Sequence, residues 1–248
     1  GDCRMNLYSV MLVDDEEEVI QIIEPYGYES LEIPAYEGNG QLETKDILTG
    51  NRAAEIRKMV ASHGMSISAL SNHSDSFLIM GPTGKDTDFI FQGTPEEKIK
   101  HGTESLIRTA QAANALEVPT VVGYPGVENW GRFFFFPYGE GWSEYEEQFV
   151  ERFTPILDKF QEYGVRFAIE IHPNSFVYDI NTAVRALELV NYHPALGYNF
   201  DPANTLYLMI DPATLIDTLQ DRIYHVHAKD AELAKHNLGK GGTLMHGN

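Results

Sequence analysis

The stretch "RIYHVHAKD" (residues 222–230) is an apolar, strand-like run that ends in two histidines, a lysine and an aspartate. Side chains two apart in a strand share a face, so His225, His227 and Lys229 are predicted to line one side and Tyr224 the other. Taken alone, the H-x-H pair has a second interpretation, in which one histidine is a hydrogen-bonded core residue and the other a loop contact. The rest of the chain decides between them.

Six earlier runs have the same strand-like character, at residues 7–13, 30–34, 66–70, 119–124, 166–171 and 195–200. Amphipathic helices are predicted between them, starting at Asp14 and at residues 52–64, 94–116, 143–163, 179–190 and 212–219. Seven strand–helix steps without a linker or composition break predict a parallel sheet in one domain, residues 1–248. Eight right-handed steps close into a barrel, and no glycine-rich phosphate loop follows the first strand, as an open nucleotide-binding sheet often has. The predicted fold is therefore an α/β class (β/α)₈ TIM barrel.

The strand count leaves one strand of that barrel unassigned. After the seventh run, "GKGGTLMHGN" (239–248) has the composition of a loop. We expect the polypeptide to continue past Asn248 and supply the eighth strand. A barrel closed in an unusual way is the alternative.

Composition restricts the partners. The chain of 248 residues carries a formal net charge of −19, which argues against nucleic acid as a ligand. No apolar run approaches the roughly 18 residues of a membrane span, so no membrane segment is expected. The single cysteine, Cys3, cannot form an internal disulfide, which fits a reducing, cytoplasmic location. A small ligand is the expected partner.

Polar residues stand at the carboxyl ends of three successive predicted strands. Glu170 ends "AIEIHP", Asp201 follows "GYNF" and His227 ends "RIYHVH". The carboxyl ends of barrel strands meet at one rim, where the chemistry of such barrels is located. A buried carboxylate is costly unless it is paired or bound to a metal. Two carboxylates and an imidazole at one rim therefore predict a site for a divalent ion such as Mn²⁺, Mg²⁺, Co²⁺ or Zn²⁺.

Five segments carry a family resemblance, in order and one per strand: "LEIPA" (31–35), "SISALSNH" (66–73), "AIEIHP" (168–173), "NFDPAN" (199–204) and "RIYHVHAKDA" (222–231). With them the chain resembles the sugar phosphate isomerase/epimerase group of the xylose-isomerase-like barrels over nearly its whole length. The resemblance implies one divalent ion, Mn²⁺ first among the candidates. Its ligands would be Glu170, Asp201 and His227, with His225 as an inward neighbour and a fourth ligand, a glutamate, beyond Asn248.

The resemblance also implies a reaction. A divalent ion on a carbonyl and its neighbouring hydroxyl acidifies the C–H between them, and a carboxylate, here Glu170, removes the proton. Isomerisation or epimerisation of a sugar or keto-sugar is the expected outcome. The same chemistry can instead expel a substituent, as in the dehydratases of keto-inositols and the subunits that cleave oxidised C-glycosides, so a metal-dependent lyase is the alternative.

Further residues are expected to act on the substrate. His73 follows the third predicted strand and is a candidate catalytic residue. His172 shares a face with Glu170, and Lys229 stands just above His227. Relatives often have a histidine where Asn204 stands, and an amide hydrogen-bonds but does not shuttle a proton. His172, Lys229 and Asn204 are therefore candidate substrate contacts.

Two long loops, residues 71–94 and 124–142, are predicted to border the same rim. The second carries an aromatic cluster in which Trp130 is the candidate for stacking on a sugar, and Arg132 is a candidate ligand for a substrate oxygen. A subunit interface, either of a homo-oligomer or with a different partner subunit, and internal packing are the competing interpretations.

Two other function classes stay open. Endonucleases acting on abasic DNA share this fold, but they usually carry several zinc ions and a basic groove, which the net charge of −19 disfavours. A non-catalytic barrel that binds a sugar or a partner subunit is the third class.

Overall fold

The computed structural model describes residues 20–21, 24–40, 42–128, 142–229 and 231–241. Its centre is a curved sheet of six strands, all parallel and paired in chain order. The strands are β1 (Ser30–Pro34), β2 (Ser66–Ser71), β3 (Thr120–Gly123), β4 (Arg166–Glu170), β5 (Leu196–Phe200) and β6 (Ile223–Val226). This is the arrangement of an α/β TIM barrel, as the sequence predicts. The first predicted strand, residues 7–13, lies outside the described residues.

Helices follow the strands on the outside. They are α1 (Thr44–Ile47), α2 (Arg52–Ser62), α3 (His73–Phe77), α4 (Pro95–Ala115), α5 (Glu146–Glu162), α6 (Ile180–Leu189), α7 (Pro202–Tyr207), α8 (Pro212–Leu219) and α9 (Lys235–Gly241). Short 3₁₀ turns occur at Glu24–Tyr26, Lys85–Thr87, Ser143–Tyr145 and Gln220–Arg222. Among the described residues, no helix is both long and apolar enough to cross a bilayer.

Local signals fix where the helices begin and end. Thr94 caps α4: its hydroxyl accepts from the Glu97 amide at 3.3 Å, and the Glu97 carboxylate accepts from the Thr94 amide at 2.8 Å. This reciprocal capping box, followed by Pro95 in the first turn, starts a helix of 21 residues. Gly64 and Gly164 close α2 and α5 with φ of +71° and +69°, a conformation that favours glycine.

Aromatic packing between α5 and β4 holds one side of the sheet in place. Phe149 and Phe153 stack with ring centroids 4.9 Å apart, and Phe153 and Phe160 contact Phe167 of β4 at 6.0 and 5.4 Å. All four rings are fully buried. Because Phe167 faces the helix, strand alternation turns Ala168 and Glu170 to the inside of the barrel.

The predicted alternation along β6 is wrong at Tyr224. The β5–β6 register shifts between Tyr198 and Asn199, so that strand pairing skips a residue of β6. Tyr224 therefore packs against the interior residues Ala69, Val122 and Ala168 instead of facing the helices. Gly197 leaves the space: a Cβ there would lie 2.4 Å from the Tyr224 ring.

Two segments predicted as loops contain helices. Within 71–94, Asn72 caps α3 by accepting from the Asp75 amide at 3.2 Å, which starts the helix directly after β2. In the predicted tail, α9 extends to Gly241, although its glycines disfavour a helix, and its first turn is closed by a bond from the Leu238 amide to the Ala234 carbonyl at 2.9 Å.

Candidate metal and substrate site

A cavity of about 540 Å³ opens at the carboxyl ends of the strands. Its lining comes from every strand except β5, or from the residues that directly follow the strand: Glu32, Pro34, Tyr36, Ser71, His73, Ser74, Tyr124, Glu170, His172, His227, Ala228 and Lys229. Most of these side chains are polar or aromatic, as expected for a site that binds a small polar molecule.

Three side chains predicted as ligands come together beside this cavity. Glu170 is the last residue of β4, Asp201 follows β5, and His227 follows β6. Their exposed fractions are 3%, 1% and 7%, so all three are buried. Asp201 is further fixed as the cap of α7, where its Oδ1 accepts from the Ala203 amide at 2.9 Å.

The spacing of their atoms fits a shared cation. Nδ1 of His227 lies 3.4 Å from Oε2 of Glu170 and 3.6 Å from Oδ2 of Asp201. Two ligands on one tetrahedral ion are roughly 3.3–3.6 Å apart when the metal–ligand bonds are ~2.0–2.2 Å. One imidazole nitrogen and two carboxylate oxygens also suit divalent ions of the Mn²⁺ or Zn²⁺ type. These residues therefore fit a divalent metal ion.

Glu170 is held at both oxygens. Nε2 of His73 lies 2.8 Å from Oε2, and Nδ2 of Asn204 donates to Oε1 at 2.7 Å. His73, at the start of α3, and Asn204, in α7, thus orient the carboxylate from two sides. Asn204, expected to touch the substrate, makes its direct contact with Glu170.

Lys229 brings a positive charge to the same carboxylates. Its Nζ lies 2.6 Å from Oδ2 of Asp201 and 4.0 Å from Oε1 of Glu170. About half of the lysine side chain (55%) remains exposed to the cavity mouth. The ammonium can therefore reach a molecule in the cavity as well as the carboxylates.

The electrostatics keep the two carboxylates ionised and His227 protonated. Burial alone would raise the pKa of Glu170, but the hydrogen bond and charge of His73 lower it below its usual value. The pKa of Asp201 is likewise lowered, against burial, by His227 and Lys229. Burial would lower the pKa of His227, yet the nearby carboxylates of Asp201, Glu32 and Glu170 raise it to about 10. A metal ion at Nδ1 must therefore displace a proton.

An aromatic wall faces this polar cluster. Tyr124 stacks on His172 with ring centroids 4.9 Å apart and planes 3° from parallel. Nδ1 of His172 lies 3.0 Å from Oδ1 of Asn174, which fixes the ring. Burial, and to a lesser extent the charge of Glu170, raise the pKa of Tyr124, so its hydroxyl stays protonated. The wall offers a flat surface and hydrogen-bonding groups to a ligand.

Two predicted substrate contacts in the 124–142 loop, Trp130 and Arg132, fall outside the described residues. At the end of that loop, Trp142 stacks on Phe176 at 4.4 Å, and its indole N–H donates to the Phe176 carbonyl at 2.8 Å. Of the three interpretations of the aromatic cluster, internal packing holds for Trp142.

Sequence reasoning missed Glu32. This residue of β1 is 2% exposed, and its Oε2 contacts Nε2 of both His225 and His227, at 2.9 and 2.8 Å. Burial would raise the pKa of Glu32, but hydrogen bonds from the two histidines lower it. A charged residue between Leu31 and Ile33 in a buried strand was the available signal.

Comparisons with known proteins agree with this architecture. The uncharacterized protein YfiH of Bacillus subtilis (strain 168) is 28% identical over 102 residues, 41% of this chain; the match covers 32% of that protein, about a third of its length. The 3-keto-D-glucoside 4-epimerase YcjR of E. coli superposes with a TM-score of 0.65 at 13% identity, over 95% of this chain and 85% of that one.

Two further solved structures show the same fold. The probable 3-DHS dehydratase AsbF of Bacillus anthracis has a TM-score of 0.65 at 17% identity, over 94% of this chain and 76% of that one. A xylose isomerase-like TIM barrel protein of Mycobacterium smegmatis, in complex with magnesium, has a TM-score of 0.57 at 16% identity, over 83% and 63%.

The family model described as xylose isomerase-like TIM barrel matches residues 20–246, nearly the whole chain. Together with the parallel sheet and the rim of polar strand ends, this match shows that the chain belongs to the xylose isomerase-like TIM barrel family.

Proposed function

We propose that the chain is a divalent-metal-dependent isomerase or epimerase that acts on a sugar or keto-sugar by removing a proton from the carbon next to a carbonyl. The observation that carries the proposal is the convergence of Glu170, Asp201 and His227 at cation-ligand spacing beside a cavity of about 540 Å³. The fold shared with a 3-keto-D-glucoside 4-epimerase supports the substrate class.

The metal would be held by the same three residues. A bound divalent ion would withdraw electrons from the substrate carbonyl and so acidify the adjacent C–H bond. Two carboxylates and one imidazole leave the choice between Mn²⁺, Mg²⁺, Co²⁺ and Zn²⁺ open on chemistry alone, with Mn²⁺ as the first candidate.

Glu170 is the proposed base. Its lowered pKa keeps it ionised and able to accept a proton at neutral pH. His73, 2.8 Å from Oε2, orients this carboxylate and can exchange a proton with it. Asn204 donates to Oε1 of Glu170 at 2.7 Å, so the carboxylate cannot rotate freely. Its oxygens therefore keep a fixed direction relative to the cavity.

The cavity walls orient the substrate. We propose that Lys229 and His172 hydrogen-bond substrate oxygens, and that the Tyr124 ring covers a C–H face of the sugar. Trp130 and Arg132 complete this proposal as further substrate contacts. A sugar-like molecule of five or six carbons is well within the size of the cavity.

One observation favours a lyase as the second candidate. Two groups able to donate protons, His73 and Lys229, lie 2.8 and 4.0 Å from the proposed base. A donor beside a base can protonate a leaving hydroxyl after the C–H bond breaks, which gives elimination instead of epimerisation.

The test is proton exchange. The Mn²⁺-loaded protein is incubated with keto-sugars in deuterium oxide, and loss of the α-proton signal is followed by NMR. Exchange without loss of a substituent supports the isomerase or epimerase; exchange with release of water supports the lyase. The Asp201→Asn variant should lose exchange, whereas Glu188→Gln, the same kind of change at an exposed carboxylate, should keep it. Absence of exchange on every keto-sugar despite tight metal binding contradicts both.

A further inference from the structure

Glu32, in β1, contacts both histidines of the H-x-H pair at the carboxyl end of β6. Its side chain is 1% exposed, and the single oxygen Oε2 lies 2.8 Å from Nε2 of His227 and 2.9 Å from Nε2 of His225. Glu32 and His227 are 195 residues apart in the sequence, so only the folded barrel brings their side chains together.

The distances identify the contact as a hydrogen bond. The 2.8 Å between Nε2 of His227 and Oε2 of Glu32 is the length of a charge-assisted N–H···O bond, whereas Nε2 of His225 makes a charge contact with the same oxygen at 2.9 Å. Two ligands of one tetrahedral ion would be roughly 3.3 Å apart. In this arrangement Glu32 is therefore a hydrogen-bond partner of His227, and Glu32, His225 and His227 also lie close enough together to form a second candidate ligand group.

This contact decides which nitrogen of His227 remains for a metal. If Nε2 carries the proton donated to Glu32, the lone pair of the neutral ring is on Nδ1. Nδ1 faces Oε2 of Glu170 at 3.4 Å and Oδ2 of Asp201 at 3.6 Å, and Nδ2 of Asn199 lies 3.0 Å from it, in a contact that a metal at Nδ1 would replace. In many metal sites, a carboxylate behind the ligating histidine fixes its tautomer and ring orientation in this manner.

We propose that Glu32 is a positioning residue for the metal site: its carboxylate holds the proton of His227 on Nε2 and aims Nδ1 at Glu170 and Asp201. This inference rests on the proposed function, since it assumes that His227 ligates a metal. Nε2 of His225 contacts the same oxygen at 2.9 Å and packs against Glu32 from one layer deeper. The two histidines of the H-x-H pair then have different roles: His227 is the proposed ligand, and His225 packs against Glu32.

The experiment compares Glu32→Gln, which keeps the shape but removes the charge, with Glu188→Gln at an exposed carboxylate. Mn²⁺ affinity is measured by electron paramagnetic resonance on the purified proteins. We expect Glu32→Gln to weaken Mn²⁺ binding about 10- to 100-fold, the usual effect of losing such a partner, and Glu188→Gln to leave it within about twofold. Glu32→Asp, which retains the carboxylate, should recover part of the affinity.

Two spectroscopic measurements separate positioning from a merely structural role. In the metal-free protein, the His227 Nε2–H proton should give a low-field, slowly exchanging NMR signal that is lost in Glu32→Gln. In wild-type protein loaded with ¹¹³Cd²⁺ and labelled with ¹⁵N-histidine, the one-bond coupling should appear at Nδ1 of His227. A folded Glu32→Gln variant with a lower Tm but unchanged signals and affinity would overturn the proposal, as would coupling at Nε2.

The same data distinguish this inference from the proposed function. Wild-type protein that binds no Mn²⁺ contradicts the metal-dependent reaction itself. Wild-type protein that binds Mn²⁺, while Glu32→Gln binds it equally tightly, overturns only the role of Glu32.

Discussion

Two buried clusters in the described part of the chain combine carboxylates with histidines, and they differ in how their polar atoms are paired. The site cluster consists of Glu32, Glu170, Asp201, His225, His227 and Lys229. The helix cluster consists of Asn72, Asp75, His101, Ser105 and Thr109, between α3 and α4. Residue types alone make both of them candidates for a functional site.

The helix cluster is a closed network. Ser105 donates to Oδ2 of Asp75 at 2.5 Å, and Nε2 of His101 lies 3.3 Å from Oδ1. The Asn72 amide donates to the hydroxyls of Ser105 and Thr109 at 3.1 and 2.9 Å, and Thr109 donates in turn to the Ala35 carbonyl at 2.7 Å. Every oxygen of the carboxylate has a protein partner, and α4 is tied to the chain after β1.

The site cluster is different because it faces a cavity and leaves cation-ligand separations of 3.4 and 3.6 Å between its atoms. In its deeper part, His227 and Glu32 are hydrogen-bonded at 2.8 Å, whereas Oε1 of Glu32 is buried with no hydrogen-bond partner among the described residues. A closed network of short bonds stabilises the fold, whereas an open cluster at ligand spacing can bind an ion. Four experiments test this contrast, from the largest expected effect to the smallest.

Replacing the two histidines of the site cluster one at a time should distinguish the metal ligand from the residue that supports Glu32. His227→Ala should weaken Mn²⁺ binding by at least about 100-fold, because a ligand is lost, whereas His225→Ala should weaken it about tenfold or less and mainly lower the Tm. Metal content after dialysis and Mn²⁺ titration measure both. The opposite order would exchange the roles of the two histidines, and unchanged binding in both variants would exclude a metal at this place.

Breaking the helix cluster should affect stability and leave metal binding unchanged. Asp75→Ala leaves Ser105 and His101 without their buried partner and should reduce the free energy of unfolding by about 2–3 kcal/mol, measured in urea. The exposed Asp217→Ala is the control, with an expected change below about 0.5 kcal/mol. A loss of Mn²⁺ affinity in folded Asp75→Ala would show that the two clusters are coupled.

The pH dependence should be specific to the site cluster. Metal binding must displace the proton of His227, whose pKa is raised to about 10, so the apparent Mn²⁺ affinity should rise about tenfold per pH unit between about pH 6.5 and 8.5. Because the pKa of His227 is higher in the folded than in the unfolded chain, protonation of His227 stabilises the metal-free protein. This stabilisation is complete below about pH 6.5 and is lost as the pH rises towards 10. His227→Ala should lose both slopes, and Asp75→Ala should keep them. A flat affinity profile in the wild type would contradict the proton displacement.

The smallest effect is expected at the cavity mouth. Lys229→Met removes a half-exposed ammonium, and it should raise KM for the substrate about fivefold, or roughly 1 kcal/mol, with little change in kcat. Lys235→Met, in α9, is the control for the change in net charge. A fall in kcat with an unchanged KM would instead make Lys229 a proton donor and favour the lyase.

The sequence predicted the elements and the rim better than it predicted contacts across the barrel. Strand and helix bounds follow from hydrophobic periodicity and capping, which are local, so Thr94 and Gly164 marked helix ends correctly. Their positions at the ends of consecutive strands selected Glu170, Asp201 and His227, and the family resemblance implied the same three ligands. Tyr224 was misplaced because a register shift depends on how β5 and β6 pair.

What the sequence determined by itself was a parallel α/β barrel with a polar rim, since alternating periods and strand-end residues are written locally along the chain. Only the tertiary structure decided that Glu32 lies behind His227 and that both oxygens of Asp75 have protein partners. The physical reason is that these contacts join residues far apart in the sequence. Hydrogen bonds and ion spacings depend on tenths of an ångström between residues far apart in the chain, and only the packed barrel sets those distances.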